Sequence, residues 1–166
     1  MKNPSIFLLI TGLTLGGCCH EDFITPIITP SGDYDFFDGA LDVTGLYTAS
    51  DCSANAAYTT VGATPDGEST DCSDPSNNRW FKFTASATGY LSMSVQVGGS
   101  YGTQTETVVT LWNSNGVEIY CESYYYPDES VYLSYGDLTP GEVYYLSVDC
   151  TSDTVGTFAL CLSDTD

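Results

Sequence analysis

The sequence predicts an all-β, antiparallel sandwich, and three observations carry that prediction. Apolar residues alternate with period two from Arg79 onward, turn signals punctuate the alternation, and no stretch between them has helical periodicity. In "RWFKFTA" (79–85) Phe81, Phe83 and Ala85 share one face, and Trp80, Lys82 and Thr84 the other. The two phenylalanines make the better core face, so Trp80 and Lys82 are expected to look outward, the lysine stem lying along the indole. "YLSMSVQV" (90–97) places Leu91, Met93, Val95 and Val97 inward and its serines and glutamine outward. "TVVTLW" meets "NSNG", a strong hairpin signal, and "VEIYC" returns with Val117, Ile119 and Cys121 expected inward, Glu118 and Tyr120 outward. "SVYLSY", the turn "LTPGE", "VYYLSV" and "GTFALCL" complete the alternation, the last with Phe158, Leu160 and Leu162 on one face.

Ahead of this body, residues 1–17 form an apolar stretch behind Lys2, the layout of a secretory signal peptide and too short for a comfortable membrane span. Leu15-Gly16-Gly17-Cys18 resembles the bacterial lipobox, which implies lipidation of Cys18 and a membrane anchor through acyl chains. His20-Glu21-Asp22 resembles the signal that sends Bacteroidetes lipoproteins to the cell surface, so the outer face of the outer membrane is the expected location. Residues 18–45 mix Pro, Gly and Asp with scattered apolar residues and read as an acidic tether whose phenylalanines and isoleucines suit it to docking; residues 46–166 are the sandwich.

Charge narrows the partners. The chain has 22 acidic residues against 3 basic ones, a formal net charge of -19. Without Lys2, 22 acids face only Arg79 and Lys82, so the mature value is nearer -20. Nucleic acid is excluded as a partner, since phosphate binding needs clustered Lys and Arg.

Seven cysteines in an exported chain are disulfide material, because zinc-type spacing is absent and the sole histidine, His20, sits beside the anchor. Cys52, Cys72, Cys121, Cys150 and Cys161 leave either one free thiol or a role for Cys19, the latter allowing fifteen pairings. Strand parity favours a Cys121–Cys150 bridge; Cys52 pairs with Cys72 or with Cys161. In or beside loops, Asp128, Glu129, Asp149 and Asp153 are candidate oxygen ligands for a structural Ca²⁺, the one cofactor the sequence suggests.

The order of "DCSANA", "RWFKFTA", "GYLSMSV", "TVVTLW", "LTPGEVYYLSV" and "GTFALCL" resembles the bacterial pre-peptidase C-terminal (PPC) domains, in particular their cysteine-bearing versions in Bacteroidetes surface proteins. The resemblance spans roughly residues 51–162. Its most specific parts are Trp80 to Phe83, Pro140 to Tyr145 and Gly156 to Phe158. It implies a jelly-roll-like sandwich similar to carbohydrate-binding modules. Two features depart from it: "NSNG" stands where those relatives often carry a cysteine, and the domain stands alone behind an anchor.

No Ser-His-Asp set, phosphate loop or metal motif can be assembled in the body, so a non-catalytic role is expected. The expected function is that of a surface lipoprotein serving as a binding or accessory module, in protein assembly or adhesion at the outer membrane. Carbohydrate or surface-polymer binding is one alternative and self-association into an extracellular assembly another. Trp80, Tyr120, Tyr124, Tyr125 and Tyr126 are the candidate ligand-binding residues, since exposed rings stack on sugars and make large protein contacts at low entropic cost. Three consecutive tyrosines cannot all point inward.

Overall fold

The computed structural model describes residues 33–127, 129–150 and 154–165. The leader, Cys18, Asp128 and Asp153 lie outside them. A 3-10 turn at Phe37–Gly39 leads into β1 (Leu41–Asp42), α1 (Thr44–Ala49), β2 (Asp51–Cys52) and β3 (Tyr58–Thr59). The long strands follow: β4 (Arg79–Thr84), β5 (Leu91–Gln96), β6 (Thr107–Trp112), β7 (Glu118–Ser123), β8 (Val131–Tyr135), β9 (Val143–Cys150) and β10 (Thr157–Ser163).

These strands form two packed sheets, one ordered β1-β4-β9-β6-β7 and the other β2-β10-β5-β8, with β3 paired to β10. Pairings are antiparallel except the short parallel pair β1 and β4. The expected sandwich is therefore the observed fold. Between the sheets lie Phe81 and Phe83 of β4, Leu91, Met93 and Val95 of β5, Val109 and Leu111 of β6, Leu146 and Val148 of β9, and Phe158, Leu160 and Leu162 of β10. Burying each such side chain stabilises the fold by about 1.5–3 kcal/mol, so period-two alternation over five long strands suffices to define the core.

The first sheet is covered on its other face as well. Residues 60–78, a strap without strands, cross over β4, β9, β6 and β7 and enclose Trp80, Trp112 and Ala40, with Phe37 and Tyr145 packed alongside. The indole of Trp80 meets Phe37 edge-on at 5.1 Å and Trp112 at 5.4 Å. All six residues of β6 are consequently buried, because one face sees the main core and the other the strap. Trp80 does lie on the face opposite Phe81 and Phe83, but it is 1% exposed. The expectation that it looks into solvent is overturned by a cover that the alternation within β4 does not encode. Among the described residues the cation over a ring is Arg79 above Tyr34, 5.0 Å from the centroid, and not Lys82 above Trp80.

The strap is held at several points. The Asp149 carboxylate accepts the backbone N–H groups of Ser76 and Asn77 at 2.9 and 2.7 Å. The Asn78 side chain bonds both backbone groups of Asp66. Gly67 has φ +103°, and a Cβ there would stand 3.0 Å from the Trp80 ring, so glycine is required where the strap touches the indole. A disulfide joins Cys72 of the strap to Cys121 of β7. The other bridge links Cys52 of β2 to Cys161 of β10, directly opposed in register.

The expected Cys121–Cys150 bridge is not formed, because β6 lies between β7 and β9: Cys121 pairs with Thr110 and Cys150 with Thr107, which leaves the two cysteines two strands apart, too far to bridge. Leu111 faces Tyr120 while Trp112 faces Glu118, so Ile119 is an extra residue and the faces of β7 exchange. Cys121, opposite Thr110, points to the strap. Cys150 is instead a buried free thiol. It lies in a polar knot where the Thr60 hydroxyl donates to Gln104 Oε1 at 2.9 Å and accepts the Gly156 N–H at 3.1 Å.

Part of the expected tether belongs to this structure. The Tyr34 carbonyl accepts the Trp80 N–H at 2.7 Å, Leu41–Asp42 pairs with β4, and Tyr34 and Val43 sit in the core. Arg79 fastens the same segment: its guanidinium lies 3.0 Å from Asp35 and donates to the carbonyls of Thr59 and Val61.

Candidate functional site

The hairpin β6–β7 sets up the most exposed aromatic surface. Asn113 Oδ1 accepts the N–H groups of Asn115 and Val117, and Gly116 takes φ +72°, which closes the turn. The bulge at Ile119 then directs Tyr120 and Glu122 to the sandwich edge, where the Tyr120 ring leans on Tyr135 of β8, centroids 6.5 Å apart. The Tyr120 hydroxyl donates to Glu122 Oε1 at 2.6 Å. That hydrogen bond, and then the carboxylate charge, raise the Tyr120 pKa above the usual tyrosine value.

Past Ser123 the chain leaves the first sheet and crosses to β8 in the second. The Tyr124 N–H still bonds the Thr107 carbonyl at 2.9 Å, and the Tyr125 hydroxyl donates to the Cys72 carbonyl at 3.4 Å, tying the crossover to the strap. Alternation ends there, so the three rings have no common core to enter. Tyr124, Tyr125 and Tyr126 are 43, 52 and 69% exposed. With Tyr120, on the edge strand β7 that leads into the crossover, they make four exposed tyrosines within residues 120–126. Carboxylates lie on the same stretch: Glu122 beside Tyr120 and Glu129 on the crossover, while Glu118 turns to the strap and accepts the Asp71 N–H at 3.0 Å.

Tyr132 is a further exposed ring, 67% accessible, that sequence reasoning did not single out. Its signal was present, because alternation in "SVYLSY" turns Val131, Leu133 and Tyr135 inward and leaves Tyr132 outside. It borders a shallow hollow of about 200 Å³ on the outer face of the second sheet, with Ser92, Ser94, Ser163 and the Cys52–Cys161 bridge. Trp80, by contrast, belongs to the covered face and is unavailable to a ligand.

Of the expected calcium ligands within the described residues, Glu129 is exposed on the crossover, whereas Asp149 is buried beneath the strap. The Asp149 carboxylate is aimed at three backbone N–H groups, those of Ser76, Asn77 and Cys150. Burial raises its pKa above the usual carboxylate value, and these hydrogen bonds offset part of the rise. Burial likewise pushes the Cys150 thiol up. Among the described residues no helix is long and apolar enough to cross a membrane.

Comparison with known proteins adds no family: no family model matches the chain, and no curated protein matches it significantly.

Proposed function

We propose that this protein is a non-catalytic binding module of the cell surface, a lipoprotein anchored through Cys18, that serves protein assembly or adhesion through the edge formed by Tyr120, Tyr124, Tyr125 and Tyr126. One observation carries the reading: Tyr124, Tyr125 and Tyr126 on the crossover, and Tyr120 on the edge strand β7 that leads into it, are left substantially exposed, while the other aromatic-rich face is sealed by the strap. Tyrosines give rigid, amphipathic contact area with few rotamers to freeze, which is why they recur at the energetic centres of protein interfaces. The resemblance to PPC domains, modules that accompany larger surface proteins, supports the same role.

The test is recovery of the tagged full-length protein from its own detergent-solubilised membranes, beside the Tyr124→Ala/Tyr125→Ala/Tyr126→Ala variant. A stoichiometric partner with the wild type, absent with the variant, is the expected result. Recovery of monomer alone, or the same partner with both proteins, overturns the reading.

Carbohydrate binding is the second reading, favoured by Tyr132 beside the serine-lined hollow. An exposed ring flanked by hydroxyls suits the face and edge of a sugar. Under that reading Tyr132→Ala abolishes polysaccharide retention and leaves protein recovery intact.

A further inference from the structure

The chain itself displays how its tyrosines and carboxylates recognise a cation. Arg79 lies over the face of Tyr34 at 5.0 Å from the centroid while Asp35 holds Nη1 at 3.0 Å and Asp33 stands 3.8 Å away. A ring face and the carboxylates next to it in sequence thus grip one guanidinium. Tyr120 and Glu122 offer the same two groups on one side of β7, joined by their own hydrogen bond and facing solvent. Among the described residues the chain's cations do not reach them. Arg79 is committed to Asp33 and Asp35, and Lys82 lies on β4, separated from β7 by β9 and β6.

Beyond this pair, on the crossover that follows β7, come the further exposed rings Tyr124, Tyr125 and Tyr126 and the exposed Glu129, in a chain of net charge -19. That charge disfavours a second copy as the occupant, since two such surfaces repel at close range. We infer that the Tyr120–Tyr126 edge receives an arginine- or lysine-bearing segment of a protein partner, whose cationic heads slot between the tyrosine faces and the flanking carboxylates. This deepens the assembly reading and rests on it.

The test uses the full chain and a fluorescein-labelled peptide of alternating arginine and threonine, read by fluorescence anisotropy in dilute buffer and at higher salt. Four proteins are compared: wild type, Glu122→Gln, the triple tyrosine-to-alanine variant, and Asp42→Asn on β1 at the opposite edge of the same sheet. Unchanged circular dichroism and melting temperature confirm that each is folded. The triple variant keeps every charge, so its expected loss of about tenfold in affinity reports the rings and not the field. Glu122→Gln is expected to weaken binding about fivefold and Asp42→Asn by less than about 1.5-fold. Equal effects of Glu122→Gln and Asp42→Asn, with the triple variant unchanged, would mean that the peptide senses only net charge, and the inference falls. If the peptide fails to bind while the membrane partner is still lost on tyrosine substitution, the interface stands and its cationic chemistry is overturned. If both experiments fail, the assembly reading falls with it.

Discussion

Replacing Trp80 by alanine tests whether the outer face of the first sheet is a second core. A buried tryptophan removes about 200–250 Å² from water, which at about 25 cal/mol/Å² corresponds to about 5–6 kcal/mol. Compactness of the unfolded chain reduces that by about a quarter, to about 4 kcal/mol, in line with the cost of about 3–5 kcal/mol typical of such truncations. An indole lying on an open sheet face would cost less than about 1 kcal/mol. Urea denaturation followed by far-UV circular dichroism distinguishes the two, provided the m-value is unchanged. A phenylalanine series sharpens the test. Among the described residues the Trp80 Nε1 has no hydrogen-bond partner, whereas Trp112 Nε1 donates to the Ser147 hydroxyl at 2.9 Å. Trp80→Phe deletes an unpaired buried donor and should cost about 1 kcal/mol; Trp112→Phe leaves a buried hydroxyl behind and should cost about 2 kcal/mol or more. A Trp80→Ala cost below about 1 kcal/mol, or Trp80→Phe costing more than Trp112→Phe, would refute the reasoning.

Three other predictions follow from the same contacts. Removing the Cys72–Cys121 bridge, which spans 49 residues, with the double serine variant should cost about 4 kcal/mol on the chain-entropy estimate; red-shifted tryptophan emission and new protease cleavage within residues 60–78 would accompany it. Gly156→Ala should destabilise by about 2–3 kcal/mol in the same urea assay, because a Cβ at that position would stand 2.3 Å from the Gln104 backbone nitrogen. Asp149 governs part of the pH dependence. Its folded pKa is raised, so the native state holds the proton more tightly than the unfolded one, and stability falls as pH rises from the ordinary carboxylate value through the raised one. Lowering the pH from neutral into that window should therefore stabilise the protein, and Asp149→Asn should flatten this slope in urea midpoints measured across the window.

The long strands were legible because one face of each meets the same core: Phe81 and Phe83, the Leu91 to Val95 set, and Phe158 to Leu162 all lie where alternation puts them. The second core was not. Residues 60–78 carry no periodicity, and what holds them over Trp80 is a carboxylate on β9 and a cysteine on β7, partners far away in sequence. The bulge at Ile119 is invisible to a parity rule that assumes an unbroken ladder, and parity carries no strand order, so the disulfide inferred from it joined two strands that β6 separates. A two-residue parallel strand such as Leu41–Asp42 has no repeat to read, and its Asp- and Gly-rich surroundings resemble a linker. Of the candidate site, Tyr124 to Tyr126 were legible by simple geometry, since three consecutive rings cannot share one buried face, and Tyr120 is exposed as alternation expects, on the edge strand β7, although the bulge sets it opposite Leu111 and beside Tyr135.

The central claim is that the tyrosine edge meets a protein. The most direct measurement places the photo-crosslinker p-benzoylphenylalanine at position 125 in the full-length protein on intact cells, with the same group at the exposed Val61 of the strap as control. A discrete adduct from position 125 and none from position 61 is the result the account predicts. No adduct at 125, or the same adducts from both positions, would contradict it.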